Sequence, residues 1–161
     1  MPDPSLPWRP PALAGHGPGT PARPAVAAPG PSVDPNETQW IDLVLVADDD
    51  EAARYVVRRQ LEDLVGEVIE ADAGDATLRA LATRVPSAVV LDLVMPGLDG
   101  LEVLARMRAM PKLERTPVII HTSKELTAHE RSEIERLGAV VIAKGEASAT
   151  RLLTTILERR A

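Results

Sequence analysis

Three acids stand in a row at Asp48-Asp49-Asp50, directly after the apolar run 44–47, and a fourth, Asp92, follows the run 89–91. A hydroxyl, Thr122, ends the run 118–121, and a cation, Lys144, follows the run 140–143. In an open α/β sheet, ligands bind beyond the carboxyl ends of the strands. If these four runs are strands of one sheet, their polar ends converge on one edge. Crowded acids repel one another and resist ionising unless a cation is present. Mg²⁺ is the natural partner, because it is hard and is satisfied by one or two carboxylates plus water and phosphate oxygens. A carboxylate beside Mg²⁺ can attack phosphorus and become an aspartyl phosphate. A lysine and a hydroxyl nearby would neutralise and hydrogen-bond the added phosphoryl oxygens. The constellation therefore reads as a phosphoryl acceptor. A single Asp at a strand end is more often a helix cap or turn former, and Asp50, just before Glu51, fits that plainer role.

The elements that must position these residues can be read from the pattern. Short apolar runs rich in β-branched residues lie at 43–47, 67–71, 88–93, 117–122 and 139–143, and they read as buried parallel strands. Amphipathic stretches lie between them. Residues 51–64 place Ala52, Tyr55, Val56, Leu61 and Leu64 near one face, and 76–84 do the same for Ala76, Leu78, Leu81 and Ala82. Residues 99–109 turn Leu101, Leu104, Ala105 and Met107 inward, and 126–137 and 147–159 complete the set. Five strands, each followed by a helix, give a (βα)5 α/β fold: a doubly wound parallel sheet with helices on both faces. His121, one residue before Thr122, should point to the opposite face of the sheet and is expected to be packed and hydrogen-bonded. His129 is expected at the surface, and His16 lies in the N-terminal segment.

Composition narrows the function classes. The 161 residues carry a net charge of −6 with no basic run, so the footprint of a nucleic-acid binder is absent. There is no cysteine, which excludes disulfides and a thiolate metal site. With no Phe, one Tyr and two Trp, the core must be aliphatic. No signal peptide and no stretch long enough to span a membrane is present, and a cytoplasmic location is the expectation. Eleven of the fifteen prolines fall within residues 1–35, and proline stops both helix and sheet from propagating. Residues 1–38 are therefore expected to be a disordered or polyproline-II-like tail, and 39–161 the folded domain. The tail reads as a solubilising extension, with docking through Trp8 or the Arg9-Pro10-Pro11 stretch as the sharper alternative.

Over about residues 42–161 the chain resembles the receiver domain of bacterial response regulators. The stretches that carry the likeness are VLVADDD at 44–50, VVLDLVMPGLDG at 89–100, PVIIHTS at 117–123 and GAVVIAK at 138–144. Asp49, Asp92, Thr122 and Lys144 follow one another at intervals of 43, 30 and 22 residues. The resemblance implies the flavodoxin-like strand order 2-1-3-4-5, which is the order known for a receiver protein. It implies Asp92 as phosphoacceptor. It implies Mg²⁺ held by Asp48, Asp49, Asp92 and the backbone carbonyl of Val94, with no other cofactor. Thr122 is implied as the switch hydroxyl and Lys144 as the phosphoryl-binding lysine. Val94 and Lys124 occupy the places that tune phosphoryl lifetime, and an apolar Val94 implies slow self-dephosphorylation.

Three departures from the family pattern carry expectations of their own. Val141 stands where an aromatic is usual, which removes the rotating-aromatic readout. Gly145 stands where proline is usual, so a trans peptide is expected, cis costing roughly 3 kcal/mol without proline. The 138–144 segment is one residue shorter than common, which implies an altered turn before the fifth strand. The implied partner is a sensor histidine kinase or a phosphotransfer protein. Output is expected through protein–protein contact on the face made by 124–137, 139–143 and 147–159, as a monomer or a phosphorylation-dependent dimer. The chain stops directly after the fifth helix, so a stand-alone signalling receiver, not an enzyme, is expected. Two alternatives are a scaffold of the same fold that is never phosphorylated, and a Mg²⁺-dependent aspartyl-nucleophile phosphohydrolase. The second resembles haloacid-dehalogenase-like enzymes, but their Asp-x-Asp-x-Thr pattern would need a Thr where Ala52 stands.

Overall fold

A computed structural model describes residues 41–160; the expected tail, with its Trp8 and His16, lies outside them. Five strands run β1 Leu43–Ala47, β2 Glu67–Ala71, β3 Ala88–Leu91, β4 Val118–Thr122 and β5 Val140–Ala143. The helices are α1 Glu51–Leu61, α2 Gly74–Thr83, α3 Gly100–Arg108, α4 Ala128–Arg136 and α5 Ala149–Arg160, with 3-10 turns at Pro111–Leu113 and Lys144–Glu146. All pairings are parallel and the sheet order is β2-β1-β3-β4-β5, as expected.

The sheet is covered on both faces, which is why its central strands read as unbroken apolar runs. Side chains alternate between the two faces. Leu45, Val89, Leu91 and Ile120 join a core closed by Leu81, Leu104, Met107 and Ile134 from α2, α3 and α4. Val44, Val46, Val90 and Ile119 join a second core closed by Val57, Leu61, Leu152 and Ile156 from α1 and α5. The edge strand β2 is half exposed, and its Glu67 and Glu70 pair with Arg84 and Arg54. Charges along an edge discourage pairing with another chain.

Helix starts follow local chemistry. Asp50 caps α1 by accepting the Ala52 N–H at 2.9 Å, and Asp99 caps α3 by accepting the Glu102 N–H at 2.9 Å. Thr127 and Glu130 form a reciprocal capping box on α4, satisfying two otherwise free amides.

Three details differ from the sequence reading. Strand β3 ends at Leu91, not at residue 93; Leu93 and Met95 are buried in the loop that follows. In α1 the buried stripe is Val57 and Leu61, continued by Val65 after the helix, while Tyr55 is 58% and Val56 52% exposed. An i, i+4, i+8 row is what meets α5 across the sheet face, and Tyr55 and Val56 flank it on the solvent side. Likewise Ala82 and Ala105 are exposed, while Thr77 and Val103 are buried in their place. Thr77 tolerates burial because its hydroxyl donates to the Ala73 carbonyl at 2.7 Å.

Before β5, the turn is a regular helix C-cap. Gly138 has φ +71, its N–H donates to the Glu135 carbonyl, and the Ala139 N–H reaches back to the Ile134 carbonyl at 3.0 Å. These two bonds with a left-handed glycine form a Schellman motif, which satisfies the last carbonyls of α4. Among the described residues no peptide is cis, as expected with Gly145 in place of proline.

Gly100 sets the approach of α3 to the loop after β3. A Cβ there would overlap the Asp92 carbonyl oxygen and come within 2.8 Å of Leu93 Cα. Both are backbone, so no rotamer relieves the clash. Gly100→Ala should therefore destabilise the fold by about 2–4 kcal/mol, read as a lower urea midpoint. An unchanged midpoint would show that the loop yields freely.

Candidate functional site

Parallel order brings the C-terminal ends of β1, β3, β4 and β5 to one edge, and each ends in a residue singled out by its chemistry. Asp48 and Asp49 follow β1, Asp92 follows β3, Thr122 closes β4, and Lys144 follows β5. Carboxylate oxygens of Asp48, Asp49 and Asp92 lie within 4.8 Å of one another. Asp48 and Asp92 are buried, whereas Asp49 is exposed. The backbone holds both buried acids in place: the Asp48 N–H donates to the Ala71 carbonyl at 3.0 Å and the Asp92 N–H to the Ala47 carbonyl at 2.8 Å. Each then accepts a local amide, Asp48 Oδ1 from Asp50 at 2.9 Å and Asp92 Oδ1 from Val94 at 3.3 Å.

The Lys144 ammonium lies 2.7 Å from Asp48 Oδ2 and 3.2 Å from Asp92 Oδ2. Burial works against this cation, but the bond to Asp48 and the charge of Asp92 more than offset it and hold Lys144 above the ordinary lysine range. For Asp48 the balance goes the other way. Burial, helped by the charge of Asp92, outweighs the bonds from Lys144 and Asp50 and raises its carboxyl above the usual aspartate range. A cluster of this kind favours an added cation, and its all-oxygen donors suit a hard divalent ion.

Thr122 is buried, and its hydroxyl oxygen accepts the Lys124 N–H at 3.1 Å. The Lys124 side chain is paired with Glu130 of α4. Val94 projects an apolar side chain that is 55% exposed. With Lys124, Glu130, Leu93, Met95 and Asp99 it lines a cavity of about 230 Å³ between the loops after β3 and β4. Asp50 is spent on capping α1 and stays out of the acid group.

Two contributors had no clear signal in the sequence. Arg54 of α1 donates from Nη1 to the Asp48 carbonyl at 2.7 Å and pairs with Glu70, fixing the backbone under the acid pair. Gly100 allows the close approach at Asp92 described above. Gly100 closes the 89–100 stretch that carries the family likeness, but its contact with Asp92 was not legible there.

His121 faces away from Thr122, as expected, and is 5% exposed. His129 is exposed, also as expected. The hydrogen bond expected of His121 is not there: neither its Nε2 nor Gln60 Oε1 has a partner among the described residues. The cavity that both line is otherwise walled by Ala53, Val56, Val57 and Ala147, together with Lys144, whose ammonium is committed to the acids. Burial, and then the charge of Lys144, pushes the imidazole below the ordinary histidine range.

A family model described as the response regulator receiver domain matches residues 44–157. Over 117 residues the chain is 34% identical to the sensory/regulatory protein RpfC of Xanthomonas campestris pv. campestris, covering 71% of this chain but only 16% of that protein. Among solved structures, Vibrio cholerae chemotaxis protein CheY4 is 25% identical with a TM-score of 0.65, covering 73% of this chain and 98% of that one. The receiver domain of the histidine kinase CKI1 from Arabidopsis thaliana, solved with Mg²⁺ and BeF3⁻, is 25% identical with a TM-score of 0.64, covering 74% and 89%.

The burial of His121 gives a pH dependence with a definite sign. Its folded pKa is below the unfolded value of 6.5, so the unfolded chain takes the proton first as pH falls. The neutral ring's contribution is complete above about 6.5 and is lost as pH drops below it toward the lower folded value. Chemical denaturation should therefore show wild type losing more stability from pH 7.5 to 5.5 than His121→Leu. Equal losses in the two proteins would contradict the assignment.

Proposed function

The chain belongs to the response regulator receiver family, and on that premise we propose that it accepts a phosphoryl group on Asp92 from a phosphohistidine of a sensor histidine kinase or phosphotransfer protein. The observation that carries this reading is the Lys144 ammonium bridging the buried carboxylates of Asp48 and Asp92. It places a cation where phosphoryl charge would develop. An Asp92 carboxylate oxygen attacks phosphorus, the P–N bond to histidine breaks, and the imidazole leaves with the bonding pair. Asp92 Oδ1 is tied to the Val94 amide, which turns Oδ2 toward Lys144. Lys144 follows the charge outward onto the new phosphoryl oxygens. The Thr122 hydroxyl, now accepting from Lys124, swings to donate to one of them.

Asp48, Asp49, Asp92 and the Val94 carbonyl would hold Mg²⁺. When bound, the ion supplies positive charge that offsets the crowded acids and the transferring phosphoryl. Output is a change in protein–protein contact on the face that includes α4, β5 and α5. Movement of Thr122 pulls on the loop that Lys124 and Glu130 tie to α4, biasing a two-state arrangement there. The protein acts in this reading as a cytoplasmic switch and not as a turnover catalyst. Val94 offers no hydrogen bond to an attacking water, which makes the phosphorylated state long-lived, and Lys124, held by Glu130, occupies the other lifetime-tuning place.

Incubation with acetyl phosphate and Mg²⁺ should add one phosphoryl group by intact-mass measurement, and Asp92→Asn should add none. No gain by the wild type would instead favour a scaffold of the same fold. Val94→Asn, which can orient water, should speed phosphoryl decay by up to about 100-fold. A decay rate unchanged by that substitution would remove Val94 as the cause of long lifetime.

A further inference from the structure

The cavity that His121 lines lies between α1, the end of β4 and the segment after β5, and has a volume of about 200 Å³. Its α1 wall is Ala53, Val56, Val57 and Gln60. Positions i, i+3, i+4 and i+7 share one helix face, here three apolar residues followed by an amide. Ala147 and Lys144 complete the lining, and the Lys144 ammonium is held by Asp48 and Asp92.

Two observations point to an occupant. The first is polar. Among the described residues only two buried side-chain atoms lack a hydrogen-bond partner, His121 Nε2 and Gln60 Oε1, and both residues line this one cavity. Buried polar atoms are nearly always paired, and His121 is only 5% exposed. The second is apolar. Val56 is 52% exposed, a branched side chain left at the wall instead of inside a core. Ala53 and Ala147 are too small to close the space beside it. Water alone suits such a place poorly. Each buried water needs about two to four polar partners, and the apolar wall supplies none. An occupant that matches both observations is mostly apolar and carries one polar group.

We propose that this cavity binds a small neutral molecule of the phenol class, with its ring against Ala53, Val56 and Ala147 and its hydroxyl on His121 Nε2 and Gln60 Oε1. An apolar cavity of roughly 150 Å³ holds one benzene ring, so this one admits a ring with a small substituent. A hydroxyl both accepts and donates. It takes the hydrogen of a neutral imidazole at Nε2 and gives its own to Oε1, so one group answers both unpartnered atoms. A charged ligand would lose its hydration against the apolar wall. None of these contacts belongs to the acid group, and the site stands whether or not Asp92 is phosphorylated.

The test titrates phenol, and separately toluene, into the full chain and follows backbone amide resonances by NMR. Saturable phenol shifts centred on residues 53–60, 121 and 144–147 are expected. Toluene has the same ring without the hydroxyl and should bind about tenfold more weakly, the worth of a hydrogen bond to a buried group. His121→Leu should bring phenol down to the affinity of toluene while toluene still binds. Gln60→Leu, at a half-buried position of α1, should narrow the same gap and serves as the second check if His121→Leu folds poorly, which the amide spectrum itself reports. Asp92→Asn should bind phenol as wild type does. Phenol shifts that never saturate, or that spread over the whole surface, would overturn the proposal. So would toluene binding as tightly as phenol, a preference for phenol that survives both leucine variants, or loss of binding in Asp92→Asn.

Discussion

Lys144 holds two buried carboxylates, Asp48 at 2.7 Å and Asp92 at 3.2 Å, at the edge of the sheet where the five parallel strands end. Two like charges about 4–5 Å apart repel by about 3–4 kcal/mol at an effective dielectric near 20. The ammonium between them turns that repulsion into a bound arrangement, and withdrawing one partner from such a group costs about 3–5 kcal/mol. The fold must deliver this cation from far away. Neighbouring strands lie about 4.8 Å apart, and β5 is three steps from β1 in the sheet. A lysine side chain alone does not span roughly 14 Å. Lys144 directly follows β5, at the first position of a 3-10 turn, and its side chain and those of the aspartates meet over the strand ends.

The same edge explains why the neighbouring loops are tied down by backbone bonds rather than by bulk. Arg54 holds the Asp48 carbonyl, and the Val94 amide holds Asp92. Gly100 lets α3 come against the Asp92 backbone. Each restrains the backbone or a carboxylate of the acid group through backbone atoms. On the Thr122 side the restraint is looser. Among the described residues, the hydroxyl is joined to α4 through one amide bond from Lys124 and that residue's exposed pair to Glu130, and exposed pairs of this kind contribute about 0–1 kcal/mol. A loop so lightly held is suited to two positions. Val141 is half-buried against the core of α2 to α4.

Much of this was legible along the chain, for local reasons. β-branched runs marked every strand, and Asp50 marked the start of α1 through a bond spanning two residues. The terminal acids, hydroxyl and lysine could be placed on one edge because parallel strands all end on the same side. The phase of α1 was not legible. Tyr55 and Val56 looked inward by hydropathy, and only the row of α5 and β-strand residues opposite selected Val57 and Leu61. The missing bond at His121 was equally hidden, since its neighbours at the cavity come from α1 and from the segment after β5.

What the amino-acid sequence determined by itself is the alternation of strands and helices, the caps, and the chemical class at each strand end, all consequences of residues close together in the chain. What tertiary structure decided is which of these residues meet. It joined Lys144 to Asp48 as well as Asp92, set Arg54 beneath Asp48, and left His121 without a partner at Nε2. Those outcomes depend on strand order, helix phase and the path of each connection. They are set by packing two cores on opposite faces of one sheet, and no short window of sequence contains them.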